Sequence, residues 1–96
     1  MTITNKNDAN KATVLARLSA LRSALENAPQ TPDIARALEQ CGRLERAITQ
    51  FHAEGLRFAA FTLFRIVFSQ GTVFTEPVHI ATQELKSALE TAGYPH

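Results

Sequence analysis

Two histidines, one cysteine and a handful of glutamates are the side chains of this 96-residue chain whose types and spacing could carry chemistry. Glu76 and His79 stand at i and i+3, the spacing by which a helix presents a carboxylate and an imidazole to one metal ion. A dinuclear centre needs a second such pair and two more carboxylates. The chain could supply them only by doubling Glu76, His79 and Glu45 in a homodimer. Seven glutamates and three histidines make one such pair easy to meet by chance. Glu76, beside Pro77, also has a role already, opposite the dipole of the helix that starts there. No metal and no other cofactor is expected.

Helical projection sets Glu45 and His52 on the same side as Cys41 and Ile48, so a carboxylate and an imidazole border an apolar stripe. Ionisable groups in that position usually reach water at the rim of a core rather than form a site. A phosphoacceptor role for His52 is opposed by Glu54, whose charge would repel a phosphoryl group. Cys41 lies on a core stripe with no cation one turn away on its face, which suits a small hydrophobe better than a nucleophile. No glycine-rich phosphate loop, paired-cysteine motif or nucleophile elbow occurs. The chain is not expected to be an enzyme.

Composition narrows the class further. At 45% hydrophobic and 20% charged residues, the chain has the profile of one small globular domain rather than a disordered tail. Ten basic against nine acidic residues give a net charge of +1, which exerts no strong pull on nucleic acid or acidic lipid. A single cysteine excludes an internal disulfide, and "MTITNKNDANKA" is too polar for a secretory signal, so a cytoplasmic setting is expected. The longest apolar run, Phe58 to Phe68, is too short to span a bilayer and carries Arg65.

The elements that must hold these residues follow from periodicity. Residues 1–7 form a polar, flexible lead-in, and 8–96 a single helical domain. Val14, Leu18, Leu21 and Leu25 mark an amphipathic helix over 8–28, with Asn7 or Asp8 as its cap. Pro29 and Pro32 close it. Thr31, Pro32 and Asp33 have the order of an N-cap, a first-turn proline and a dipole-facing acid, and open a second helix. Its core face is Ile34, Leu38, Cys41, Leu44, Ile48 and Phe51. Gly55 either ends that helix as a left-handed cap or sits inside a longer one. A third helix is expected over 56–69, the alternative being a hairpin near 64–75 that pairs across "SQG". Thr75 then caps a fourth helix, with a stripe of Val78, Ala81, Leu85, Ala88 and Leu89, and Gly93 stops it. The fold class is all-α, a small bundle of three to four helices.

All six phenylalanines fall between Phe51 and Phe74. A helix over 56–69 turns Leu56, Ala59, Ala60, Leu63, Ile66 and Val67 to one side. Phe58, Phe61, Phe64 and Phe68, with Arg57 and Arg65 among them, go to the other. One face can pack on the other helices, but so small a bundle has no layer left to cover the second, and an apolar patch of that kind marks an association site. Arginines among aromatics suit an interface better than a dry core. The expected function is a helical interaction or regulatory module that self-associates, as a dimer, through Phe58, Phe61, Phe64, Phe68, Arg57 and Arg65, with another protein as a second kind of partner. The alternatives are a central helix buried on all sides and a small winged-helix-like DNA-binding regulator. Against the latter, the helix in the recognition position shows phenylalanines where a groove requires polar and basic side chains. A metal-binding bundle is the remaining alternative.

Overall fold

The computed structural model describes residues 6–69 and 74–94, the side chains of 6–8 excepted, and in them the chain forms four helices with no strand. They are α1 (Lys6–Glu26), α2 (Pro32–Gln50), α3 (Ala53–Ser69) and α4 (Glu76–Ala92). The third helix continues unbroken through Ser69, so 64–69 is not a hairpin arm; residues 70–73, where a turn was the alternative, lie outside the described residues. Residues 1–5 of the expected lead-in lie outside them too, while Lys6 and Asn7 already belong to α1. Asn7 and Asp8 are therefore in the first turn of α1 rather than before it.

Local signals explain most of the helix ends. Beyond α1, the side-chain amide of Gln30 donates to the carbonyls of Leu25 (3.2 Å), Glu26 (3.3 Å) and Ala28 (2.8 Å), and so helps satisfy carbonyls at the end of the helix. Thr31 is the N-cap of α2, its hydroxyl accepting from the Ile34 N–H at 3.1 Å, with Pro32 in the first turn. At the far end of α4, Gly93 takes φ 74°; its N–H donates to Glu90 and that of Tyr94 to Leu89, the paired bonds of a Schellman cap. Thr75 precedes α4 in extended geometry, but its side chain makes no capping hydrogen bond.

The α2–α3 junction departs from expectation. Gly55 is not the left-handed cap of α2. Phe51 is, with φ 53° and ψ 42°, its N–H donating to Ile48 (3.3 Å) and that of His52 to Ala47 (2.9 Å). Phe51 is thus not part of the α2 core face; it is 62% exposed, with the Lys11 ammonium 4.6 Å from its ring centroid. His52 then caps α3, the Gly55 N–H donating to its Nδ1 at 2.9 Å and the Leu56 N–H to its carbonyl at 2.8 Å. Gly55 sits inside the first turn of α3, where a Cβ would approach Nδ1 of His52 to 2.7 Å. A turn of two residues between α2 and α3 is the result.

One cluster of buried side chains draws on all four helices. It includes Val14, Leu18, Leu21 and Leu25 of α1, Ile34, Cys41, Leu44 and Ile48 of α2, Leu56, Leu63 and Val67 of α3, and Val78, Leu85 and Leu89 of α4. Burial of such side chains, at about 1.5–3 kcal/mol each, is the main term holding the bundle together. Two buried polar residues lie among them. The Thr82 hydroxyl donates to the Val78 carbonyl at 2.7 Å, while the side-chain oxygen of Gln40 has no hydrogen-bond partner among the described residues. α1 packs most extensively on α4 and α2 on α3; α1 and α2 join the two pairs, and α3 meets α4 over much less. Arg17–Glu84 (3.3 Å) ties α1 to α4, and Arg22–Glu45 (2.9 Å) ties α1 to α2.

Candidate functional site

The outer face of α3 is where apolar surface and charge coincide. Phe58 is 63% exposed, Phe61 57% and Phe68 40%, although the core beneath them is complete. Arg57 and Arg65 are exposed on the same helix and form no ion pair among the described residues. Phe58 and Phe61, with Glu54 and Arg57, line a shallow hollow of about 420 Å³. Phe61, Arg65 and Phe68 continue into a groove of about 590 Å³, whose other wall is Lys86 and Glu90 of α4. That groove lies where α3 and α4 separate.

Phe64 does not belong to the exposed set. It is buried, 8% exposed, and part of the core cluster. The reason is angular drift: successive steps of three residues fall short of a full turn by about 60° each, so Phe64 lies roughly 40° from Ala60 and 120° from Phe58. From that position its ring still reaches Phe68, with centroids 6.1 Å apart. Phe68 in turn lies against His79 of α4 at 6.5 Å, and Phe74 meets His79 edge-on at 6.5 Å. The aromatic residues therefore divide into a buried anchor at the α3–α4 boundary and an outward group.

Glu54 was not among the expected site residues. With the helix taken to begin at 56, it fell outside the element. α3 begins instead at Ala53, and Glu54, Phe58, Phe61, Arg65 and Phe68 then recur at spacings of four, three, four and three, all of them exposed. That alternation, legible in the sequence, was the missed signal.

The other candidates are dispersed. Glu45 is on α2, paired with Arg22, while Glu76 is exposed in the first turn of α4 and His79 is half-buried among rings. Among the described residues no three histidine, cysteine, aspartate or glutamate side chains gather as a metal would require. His52 spends its Nδ1 on the helix cap. Cys41 is fully buried, and burial pushes its thiol up to about 12, with Glu45 adding to the rise and Arg22 opposing it. A thiol so placed is a packing group rather than a nucleophile. No described helix is long and apolar enough to cross a membrane.

No protein-family model matches this chain, and neither a curated protein nor a solved structure with significant similarity to it is found.

Proposed function

We propose that the protein is a helical interaction module that self-associates through the outer face of α3. The observation that carries this is the exposure of Phe58, Phe61 and Phe68 on one face of a helix whose opposite face already completes the core. Aromatic side chains left in water on a small domain are an association surface, and aromatic and arginine residues are the groups enriched at the centres of interfaces. Arg57 and Arg65 supply the polar component. Phe64 acts from beneath, holding Phe68 in place. Neither an enzymatic activity nor a cofactor enters this proposal. A cytoplasmic location accords with a lone cysteine kept as a buried thiol.

Multi-angle light scattering across micromolar concentrations tests the proposal. A mass of about twice 10.6 kDa is expected, and a mass of 10.6 kDa throughout would refute it.

A further inference from the structure

Glu54, Phe58, Phe61, Arg65 and Phe68 repeat with an average period of 3.5 residues over a helix of 17 residues, about 25 Å long at 1.5 Å per residue. This is the spacing of a coiled-coil seam on an exposed face, with one acid near its start and one base near its end. Neither Glu54 nor Arg65 is in an ion pair among the described residues. Arg57 lies about 60° round from the centre of the seam, beside it rather than on it.

We infer that the occupant of this seam is α3 of a second copy, running antiparallel, with the two-fold axis at the level of the Ala59–Ala60 peptide. This rests on the self-association proposed above and adds its register and its polar determinants. In that register Phe58 faces the partner's Phe61, Phe61 faces the partner's Phe58, and Glu54 and Arg65 each face the opposite charge. The surface is self-complementary, as a two-fold interface requires. Other pairings lack that property. A parallel arrangement stacks Glu54 on Glu54 and Arg65 on Arg65. An antiparallel slip of one heptad in one direction sets Arg65 against phenylalanine and strands Glu54. A slip in the other direction sets Glu54 against phenylalanine and carries Phe61, Arg65 and Phe68 past the start of the partner helix, whereas the inferred register carries Phe68 alone past it, to the level of the partner's Phe51. The α4 wall agrees with the inferred register: Arg65, Lys86 and Glu90 line one groove, with the Lys86 ammonium 6.0 Å from the Phe68 ring centroid, so the end of the seam that receives the partner's Glu54 carries two bases and one acid. Charges placed in this way set partner orientation more than affinity.

Charge exchange tests the inference, with sedimentation equilibrium as the readout and circular dichroism to confirm folding. In Glu54→Arg each seam end sets arginine against arginine, and in Arg65→Glu glutamate against glutamate, so each variant alone should dimerise about tenfold or more weakly than the natural chain. The double variant Glu54→Arg/Arg65→Glu restores both pairs, and so does an equimolar mixture of the two single variants, which should form a heterodimer. Recovery in both cases to within about threefold of the natural affinity is the expected result. Unchanged dimerisation of the single variants would overturn the register while leaving self-association standing. Weakening without recovery would overturn the antiparallel pairing. A natural chain that stays monomeric would remove the proposed function and this inference together.

Discussion

Nδ1 of His52 accepts the Gly55 N–H at 2.9 Å, and a methyl group added to Gly55 would come within 2.7 Å of that same nitrogen. The cap and the glycine are therefore one device. His52→Ala should lower stability by about 1 kcal/mol, the usual worth of an N-cap. Gly55→Ala gains about 1 kcal/mol of helix propensity but displaces the cap, so its net effect should be close to zero. In the His52→Ala background the same change should stabilise by about 1 kcal/mol. Urea unfolding of the four proteins measures this coupling, and equal effects of Gly55→Ala in both backgrounds would show that the imidazole does not cap.

Phe51 holds a left-handed conformation that favours glycine, at a cost of about 1–2 kcal/mol for an L-residue. Its contact with Lys11 is exposed and returns about 0.5–1 kcal/mol. Phe51→Gly should therefore raise stability slightly, by about 0.5–1 kcal/mol, and Phe51→Val should lower it, since a branched Cβ suffers most at positive φ. Thermal unfolding at low protein concentration would measure both. A destabilised Phe51→Gly would mean that the ring does more than contact Lys11.

The division of the α3 phenylalanines predicts opposite behaviour three residues apart. Phe64→Ala empties part of the core and should cost about 3 kcal/mol, whereas Phe61→Ala should change the stability of the monomer by less than about 0.5 kcal/mol. Phe61→Glu should leave helical circular dichroism intact while abolishing assembly. Leu63→Glu should unfold the chain, because it buries an unpaired charge. An unfolded Phe61→Glu would place Phe61 in the core instead.

Cys41 couples burial to alkaline stability. Its thiol is raised from 9.0 to about 12, so the folded state favours the protonated form. That contribution is complete below pH 9 and is lost as the pH climbs from 9 towards 12, where the unfolded chain ionises first. Cys41→Ala should unfold more easily at neutral pH, with a stability that declines less steeply over that range. At pH 8 a thiol reagent should label Cys41 of the natural chain only as fast as the chain opens.

Much of the architecture was legible in periodicity. The stripes of α1 and α4, the Thr31 cap and the Gly93 stop came from spacing and from residues with a single conformational use. The α2–α3 junction did not, because the only glycine nearby allowed either a left-handed cap or a longer helix, and a phenylalanine at positive φ has no sequence signature. With Gly55 left open between a cap and a longer helix, α3 was expected from 56, three residues after its start at Ala53, and Glu54 was hidden. Phe64 was misplaced for a different reason: counting phenylalanines at steps of three treats a drifting spiral as a face. The seam at steps of four and three does not drift in that way, and the exposed residues follow it.

The close packing of α1 on α4 brings the first and last helices together, as the Arg17–Glu84 pair across 67 positions shows. Local contacts form early in folding and distant ones late, because each long loop must be closed before it is rewarded. By that rule the α2–α3 hairpin, joined by two residues, should form first and the docking of the first helix on the last should come last. Until synthesis has delivered Val78, Leu85 and Leu89, the apolar stripe of α1 has only α2 to cover it. A chain arrested before residue 76 would carry that stripe half-clothed, a target for chaperones, while its α2–α3 hairpin was already formed.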